Sequence, residues 1–316
     1  MRTFTLPASD GVAIQVHQCG GDPPVRAALL LIHGMSEHTA RYAEFGAALA
    51  ARGIALYAPD LRGHGATGHA QGLLGHFADH DGWQRVLQDL HALEGLIRER
   101  HPGVPLLLFG HSMGSYLAQA YLLRHGPGFA GAVLSGSNYQ PVALYRLGQL
   151  VARLERWRQG PTGRSDLLEA LTFGAFNRTF RPTRTSHDWL SRDPAAVDAY
   201  LADPLCGFRC TNQLWIDLFG GLREITPLAN LARIPHDLPL LVIGGERDPV
   251  SAGRRQLDLA DALRRAGLER VSARLYPDAR HELLHETNRA DVIAFLLDWL
   301  EAALAARQSC HPKEIA

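Results

Sequence analysis

Lysine is all but missing: Lys313 is the only one in 316 residues, so nearly all of the 32 basic side chains are arginines. The 32 acidic residues balance them, and the formal charge is zero with a pI near 7.3. A neutral chain without a basic block excludes nucleic acid as the main partner. Cysteine is sparse as well. Cys19, Cys206, Cys210 and Cys310 are too few and too scattered for a disulfide scaffold. Cys206 and Cys210 form a C-x3-C pair with no second pair to complete a zinc site, so no metal is expected. Long apolar runs are missing too: none approaches the roughly 20 residues that cross a bilayer. The N-terminal stretch lacks the apolar core of a signal peptide, and Cys310 lies too far from the end for prenylation. No amphipathic anchor stands out. These absences lead to the expectation of a cytoplasmic protein with at most transient membrane association, and they leave the oligomeric state open.

What the chain does have is core-forming material. Hydrophobic residues make up 46% and charged residues 20%, enough for one large α/β domain or two small ones. Short apolar runs alternate with longer helical patterns, the signature of a mostly parallel sheet wrapped by helices. Residues 3–6 and 12–17 predict an opening antiparallel hairpin around Ser9-Asp10-Gly11. Runs at 28–32, 54–57, 106–109, 132–134, 240–243 and 271–275 predict six further strands. The middle runs are apolar on both faces, as buried parallel strands are. Trp83, Val86, Leu90 and Leu93 recur at helical spacing, as do Val292, Leu296 and Leu300, and both stripes read as core faces.

The rhythm breaks between residues 139 and 237, a stretch with no convincing strand but many aromatics, from Trp157 to Phe219. About a hundred helical or irregular residues between two sheet strands are too many for a loop. The expected division is a core of residues 1–138 and 238–308, a helical cap inserted at 139–237, and a polar, disordered tail at 309–316. A set of ordinary packing helices is the alternative reading of the insertion.

The strongest chemical signal is Gly110-His111-Ser112-Met113-Gly114, placed between an apolar run and a helical pattern that ends at Gly126. A serine on a sharp strand-to-helix turn needs small neighbours, because the turn presses its flanks against sheet and helix. Its hydroxyl is then pushed out of the surface near a helix N-terminus. It becomes a good nucleophile only when a base removes its proton and a third group orients that base. On such an elbow the order along the chain is serine, acid, histidine. The run 240–243 leads into Gly244-Gly245-Glu246-Arg247-Asp248-Pro249, and 271–275 leads into Tyr276-Pro277-Asp278-Ala279-Arg280-His281. Ser112, Asp248 and His281 are therefore the candidate catalytic residues. Glu246 is the rival acid in the same loop, and Glu282 is expected to point elsewhere. A tetrahedral intermediate also needs hydrogen-bond donors for its oxyanion. The backbone N–H of Met113 is one. The other is assigned to Met35, in the loop His33-Gly34-Met35 after the third strand. Gly34 lets the main chain approach the reacting carbonyl, while His33 reads as a structural histidine.

His33-Gly34-Met35-Ser36-Glu37-His38, followed by Arg41-Tyr42, resembles the oxyanion loop of monoacylglycerol lipases and bacterial lysophospholipase-like hydrolases. Asp60-Leu61-Arg62-Gly63-His64-Gly65, the serine motif and Asp203-Pro204-Leu205-Cys206 resemble the same group. So do Glu246-Arg247-Asp248-Pro249-Val250 and Ala279-Arg280-His281-Glu282. The resemblance implies an α/β-hydrolase fold: a mostly parallel eight-stranded sheet flanked by helices, with an inserted helical lid. It also implies no cofactor, and cleavage of carboxylic esters with one acyl chain. Ser112, Asp248 and His281 would be the triad, with Met35 and Met113 as oxyanion donors. The expected partner is a small acyl ester or monoacyl lipid, with cap aromatics lining an apolar slot for the chain. Asp60, Arg62 and His64 are expected to brace their loop. Arg41 and Tyr42 are expected to hold the oxyanion loop, with Thr39 as a helix N-cap, and Cys206 to be a small buried residue. Ser115 stands where close relatives often carry a second glycine. Peptidases, thioesterases, carbon–carbon hydrolases and acyltransferases use the same triad, and a non-catalytic ligand-binding protein on this fold is a further alternative.

Overall fold

Hydrophobicity sorts the strands by depth. In the computed structural model, which describes residues 1–310, five strands are buried along their whole length. They are Ala27–Ile32 (β3), Ile54–Pro59 (β4), Leu106–His111 (β5), Phe129–Ser135 (β6) and Leu240–Gly245 (β7). Arg2–Pro7 (β1), Ala13–Cys19 (β2) and Val271–Tyr276 (β8) vary in exposure along their length, as strands near a sheet edge do. All eight join one sheet in the order β1-β2-β4-β3-β5-β6-β7-β8. The β1–β2 and β2–β4 pairings are antiparallel, and every other pairing is parallel. The expected eight-stranded, mostly parallel sheet is present.

Helices α1 (Ala43–Ala51), α2 (Gly65–Ala70), α3 (Gly82–Arg100) and α4 (Met113–His125) precede β6. Between β6 and β7 the chain forms α5 (Val142–Gln159), α6 (Asp166–Leu171), α7 (Phe173–Arg178), α8 (Pro194–Ala202), α9 (Asn212–Ile225) and α10 (Leu228–Leu231), with no strand among them. Two further helices, α11 (Arg255–Arg265) and α12 (Arg289–Cys310), flank β8 in sequence. Alternate residues of the central strands feed two cores. Leu30, Leu108 and Leu134 join Val86, Leu90 and Leu117 on one face of the sheet. Leu29, Phe109 and Val133 join Phe45, Leu49 and Leu296 on the other.

Helix α9 is the base of the insertion, packed against α5 and against α3 and α4 of the sheet layer. Two glycines permit that approach. A Cβ on Gly221 would lie 2.2 Å from the Trp83 ring, and one on Gly148 would lie 2.7 Å from Phe219.

Three local expectations change. Thr39 is not an N-cap: it lies inside a 3-10 turn, Thr39–Tyr42, and its hydroxyl donates to Pro59 O at 2.9 Å. Helix α12 runs on to Cys310, through the first two positions given to the polar tail, while residues 311–316 lie outside the described residues. Helix α5 is an amphipathic element after all. It buries Tyr145, Gln149, Ala152 and Glu155 and turns leucines to solvent. Its sequence period is that of any core helix, and only its neighbours reveal which face is covered. Among the described residues, no helix is long and apolar enough to cross a membrane.

Candidate active site

Parallel strands end together, so β3, β5, β7 and β8 deliver their following loops to one edge of the sheet, the usual place for a ligand in such sheets. Those loops carry Gly34 and Met35, Ser112, Asp248 and His281.

Ser112 joins β5 to α4 with φ 51° and ψ −121°, a strained backbone for a residue with a Cβ. The crowding expected around it is present. A Cβ on Gly110 would lie 2.4 Å from Gly114 O, and one on Gly114 would lie 2.1 Å from Ile32 O. The turn is tied from two sides. Ser112 N–H donates to Ser135 O at 2.8 Å, and the buried Ser115 hydroxyl donates to Ser112 O at 2.6 Å. Ser115, in place of a glycine, thus braces the elbow. Met113 is the first residue of α4, and its N–H has no acceptor within the helix. Across from it, Gly34 N–H donates to Glu37 Oε1 at 2.6 Å, which leaves Met35 as the next donor of that loop. A Cβ on Gly34 would lie 3.2 Å from Ser112 Cβ, so the loop rests against the serine.

Asp248 and His281 meet across their two loops. His281 Nδ1 lies 3.0 Å from Asp248 Oδ2, with both side chains buried. A carboxylate only accepts, so the ring donates from Nδ1 and keeps Nε2 as a base. The N–H of Val250 at 2.9 Å and Nε2 of Gln256 at 3.2 Å donate to the same carboxylate and fix it. Glu246 is exposed instead. Ser112, His281, Gly34 and Met35 line one partly enclosed cleft, walled on the insertion side by Phe173, Trp189, Tyr200 and Phe208. The Trp189 ring lies 5.1 Å from that of His281. Not every aromatic of the insertion takes part: Trp157 is 87% exposed, and Phe219 packs under α5.

The supporting charges were harder to foresee. Glu282 lines the same cleft rather than turning away from it. Arg41 donates to both its oxygens, at 2.6 and 2.7 Å, and to Glu37 at 2.7 Å. Tyr42 OH also donates to Glu37 at 2.7 Å. One guanidinium therefore clamps the oxyanion loop to the histidine loop. A Glu37–Arg41 pair has helical spacing, but Glu282 is 241 positions from Arg41 and no local pattern announces it. The bracing roles expected of the 60s loop are present. Asp60 accepts from Thr39 N–H and Ala66 N–H, Arg62 bridges Asp10 and Asp89, and Leu61 N–H donates to His33 Nε2. Cys206 is half-buried and is not part of the cleft lining.

The electrostatics suit a histidine base. Burial opposes charge on His281, yet Asp248, Glu282 and Glu37 outweigh it and raise its pKa above the ordinary 6.5. Burial and the nearby His281 push His111 down to about 4, so that ring stays neutral. A base works unprotonated, so with His281 in that role activity would be lost as pH falls through the raised pKa. The acid limb of kcat/KM is expected above pH 6.5. Glu282→Gln removes one negative charge and leaves Arg41 less neutralised, so the limb should move to lower pH. A limb that does not move would assign the titration to another group.

Two sets of metal-type donors gather among the described residues, His38 with Asp203 and Cys206, and His91 with Glu94 and His125. In the first, His38 Nε2 is bonded to Asp203 at 2.8 Å, and burial holds the Cys206 thiol protonated. In the second, Arg98 and Tyr121 both donate to Glu94. Neither set borders Ser112.

The sequence matches the family model for serine aminopeptidase, S33 (Hydrolase_4) over residues 23–288. The chain belongs to this family. It is one of the α/β hydrolases, in keeping with the sheet and its flanking helices. The chain is 28% identical to a monoacylglycerol lipase of Mycolicibacterium smegmatis, over 93% of this chain and 95% of that protein. It is 26% identical to the monoglyceride lipase of Mus musculus, over 83% of this chain and 81% of that protein. A thermostable carboxyl esterase of Bacillus coagulans, solved with glycerol, superposes with a TM-score of 0.88 at 24% identity, covering 96% of this chain and 98% of its own. That last likeness is one of fold.

Proposed function

We propose that this hydrolase is a serine esterase for carboxylic esters with one acyl chain, monoacylglycerols first and lysophospholipids next. Residues 139–237 would act as its lid. The observation that carries the reading is a buried Asp248 carboxylate on Nδ1 of a buried His281, in one cleft with a strained serine. Ser112 Oγ attacks the ester carbonyl while His281 Nε2 takes its proton. Asp248 holds the ring in the working tautomer and stabilises the imidazolium. The oxyanion forms against the N–H groups of Met35 and Met113, each such donor lowering the barrier by about 3 kcal/mol. His281 returns the proton to the departing alcohol, and water activated by the same ring then releases the acid.

The choice of substrate rests on the walls. Phe173, Trp189 and Phe208 favour an acyl chain, and the lipases among the relatives favour an ester over a peptide. The test is the initial rate across p-nitrophenyl esters from acetate to palmitate, with Ser112→Ala as the blank. A Ser112-dependent peak at medium or long chains supports the lipid reading. A peak at acetate keeps the esterase and removes the lipid. Turnover of amides or thioesters but not esters would move the activity to another bond.

A further inference from the structure

Asn138 stands just after β6, where the chain leaves the sheet for the insertion. The sheet layer sets its main chain. Gly136 N–H donates to Ile243 O at 3.0 Å, and Gln119 Nε2 of α4 donates to the hydroxyl oxygen of the buried Ser137 at 3.1 Å. The Asn138 side chain makes two further bonds. Its Nδ2 donates to Val250 O at 2.9 Å, and Tyr145 OH of α5 donates to its Oδ1 at 3.0 Å. A carbonyl only accepts, so the amide has to turn its NH2 to Val250 and its oxygen to Tyr145. Tyr145 is itself buried, which shields that pin from water.

Val250 carries this link to the chemistry. It lies in the loop between β7 and α11, two positions after Asp248. Its N–H donates to Asp248 Oδ1 at 2.9 Å, while Oδ2 of the same carboxylate faces His281 Nδ1 at 3.0 Å. Its side chain packs against the insertion cluster of Trp189, Leu190 and Tyr200. The loop also holds Ala252 at φ 47°, a conformation that a residue with a Cβ keeps only when its surroundings impose it. Val250 therefore joins the insertion to the acid with its carbonyl, its side chain and its N–H. With Oδ1 held, Oδ2 stays aimed at the imidazole, and a misplacement of about 1 Å at such a group can cost about a hundredfold in rate. We infer that Asn138 is a positioning residue of the reaction, pinned by Tyr145 and holding Val250 so that its N–H keeps Asp248 aimed at His281. Asn138 does not line the cleft and acts only through Val250. The inference rests on the proposed triad of Ser112, His281 and Asp248.

Two rates test it: turnover of p-nitrophenyl butyrate, and labelling of Ser112 by a fluorophosphonate, which reports the triad without choosing a substrate. Asn138→Ala should lower kcat and the labelling rate about tenfold with KM little changed, because Val250 keeps its other two ties. Tyr145→Phe should lose less, and the two changes together no more than Asn138→Ala alone. His281 is faced by Asp248, Glu282, Glu37 and His111, and the substitution alters none of them. A carboxylate that wanders supports the imidazolium less, so the acid limb of kcat/KM should move to lower pH. In an Asp248→Ala background the loss on Asn138→Ala should vanish, since no carboxylate is left to aim. A Ser112-dependent rate indifferent to Asn138→Ala overturns the inference and leaves the esterase. A lowered rate with an unmoved limb, or an equal loss in the Asp248→Ala background, also overturns it and makes Asn138 a structural residue. Labelling slowed tenfold in a chain that turns over no ester keeps the inference and removes the substrate reading.

Discussion

Ser112→Ala is expected to lower the rate on a p-nitrophenyl ester by about a millionfold while leaving the melting temperature near that of the unaltered chain. The size follows from what is lost. Without Oγ there is no acyl-enzyme, and His281 has no nucleophile to activate. A residual rate above that in water should persist, because the backbone donors at Met35 and Met113 are untouched and still favour an oxyanion. The fold should survive. The elbow is tied by Ser112 N–H to Ser135 O and by the Ser115 hydroxyl to Ser112 O, and alanine keeps both bonds. Rates with and without the substitution, beside a thermal melt, check both halves. Retained activity would mean another nucleophile.

Asp248→Asn carries the second-largest expected effect, a loss of about ten-thousandfold. The amide can turn its NH2 toward His281 Nδ1, which then has to accept. The ring proton moves to Nε2, and the nitrogen needed as a base becomes a donor. Val250 N–H can still donate to the amide oxygen, and Gln256, whose Nε2 donates to the same Oδ2 that faces His281, turns its amide so that Oε1 accepts from the new NH2. Glu246→Gln is the paired control, and its rate should stay near that of the unaltered chain because Glu246 is exposed. Full activity in Asp248→Asn with a large loss in Glu246→Gln would reverse the acid assignment.

The two substitutions also mark where sequence reading stops. The sheet was legible because a buried parallel strand leaves a run apolar on both faces, as at 240–243, and the edge strand at 271–275 leaves an alternating one, so both could be placed before their loops were interpreted. The serine motif was legible because Gly110 and Gly114 answer a steric demand within five residues. For the acid the sequence favoured Asp248 but left Glu246 as a rival in the same loop. Glu246 and Asp248 have the same chemistry two positions apart, and burial of one and exposure of the other belong to the third dimension. The Arg41–Glu282 clamp was hidden for a related reason: it joins two loops that only the parallel sheet brings together. The exposed face of α5 was not legible, because periodicity gives the width of an apolar stripe but not the side on which the protein lies.

The measurement that tests the account most directly is peptide mass after treatment with a fluorophosphonate, which reacts only with an activated serine. The account predicts one adduct, on Ser112, in the unaltered chain and almost none in His281→Ala, where the hydroxyl remains but its base is gone. An adduct on another residue, or none with the protein folded, would contradict it.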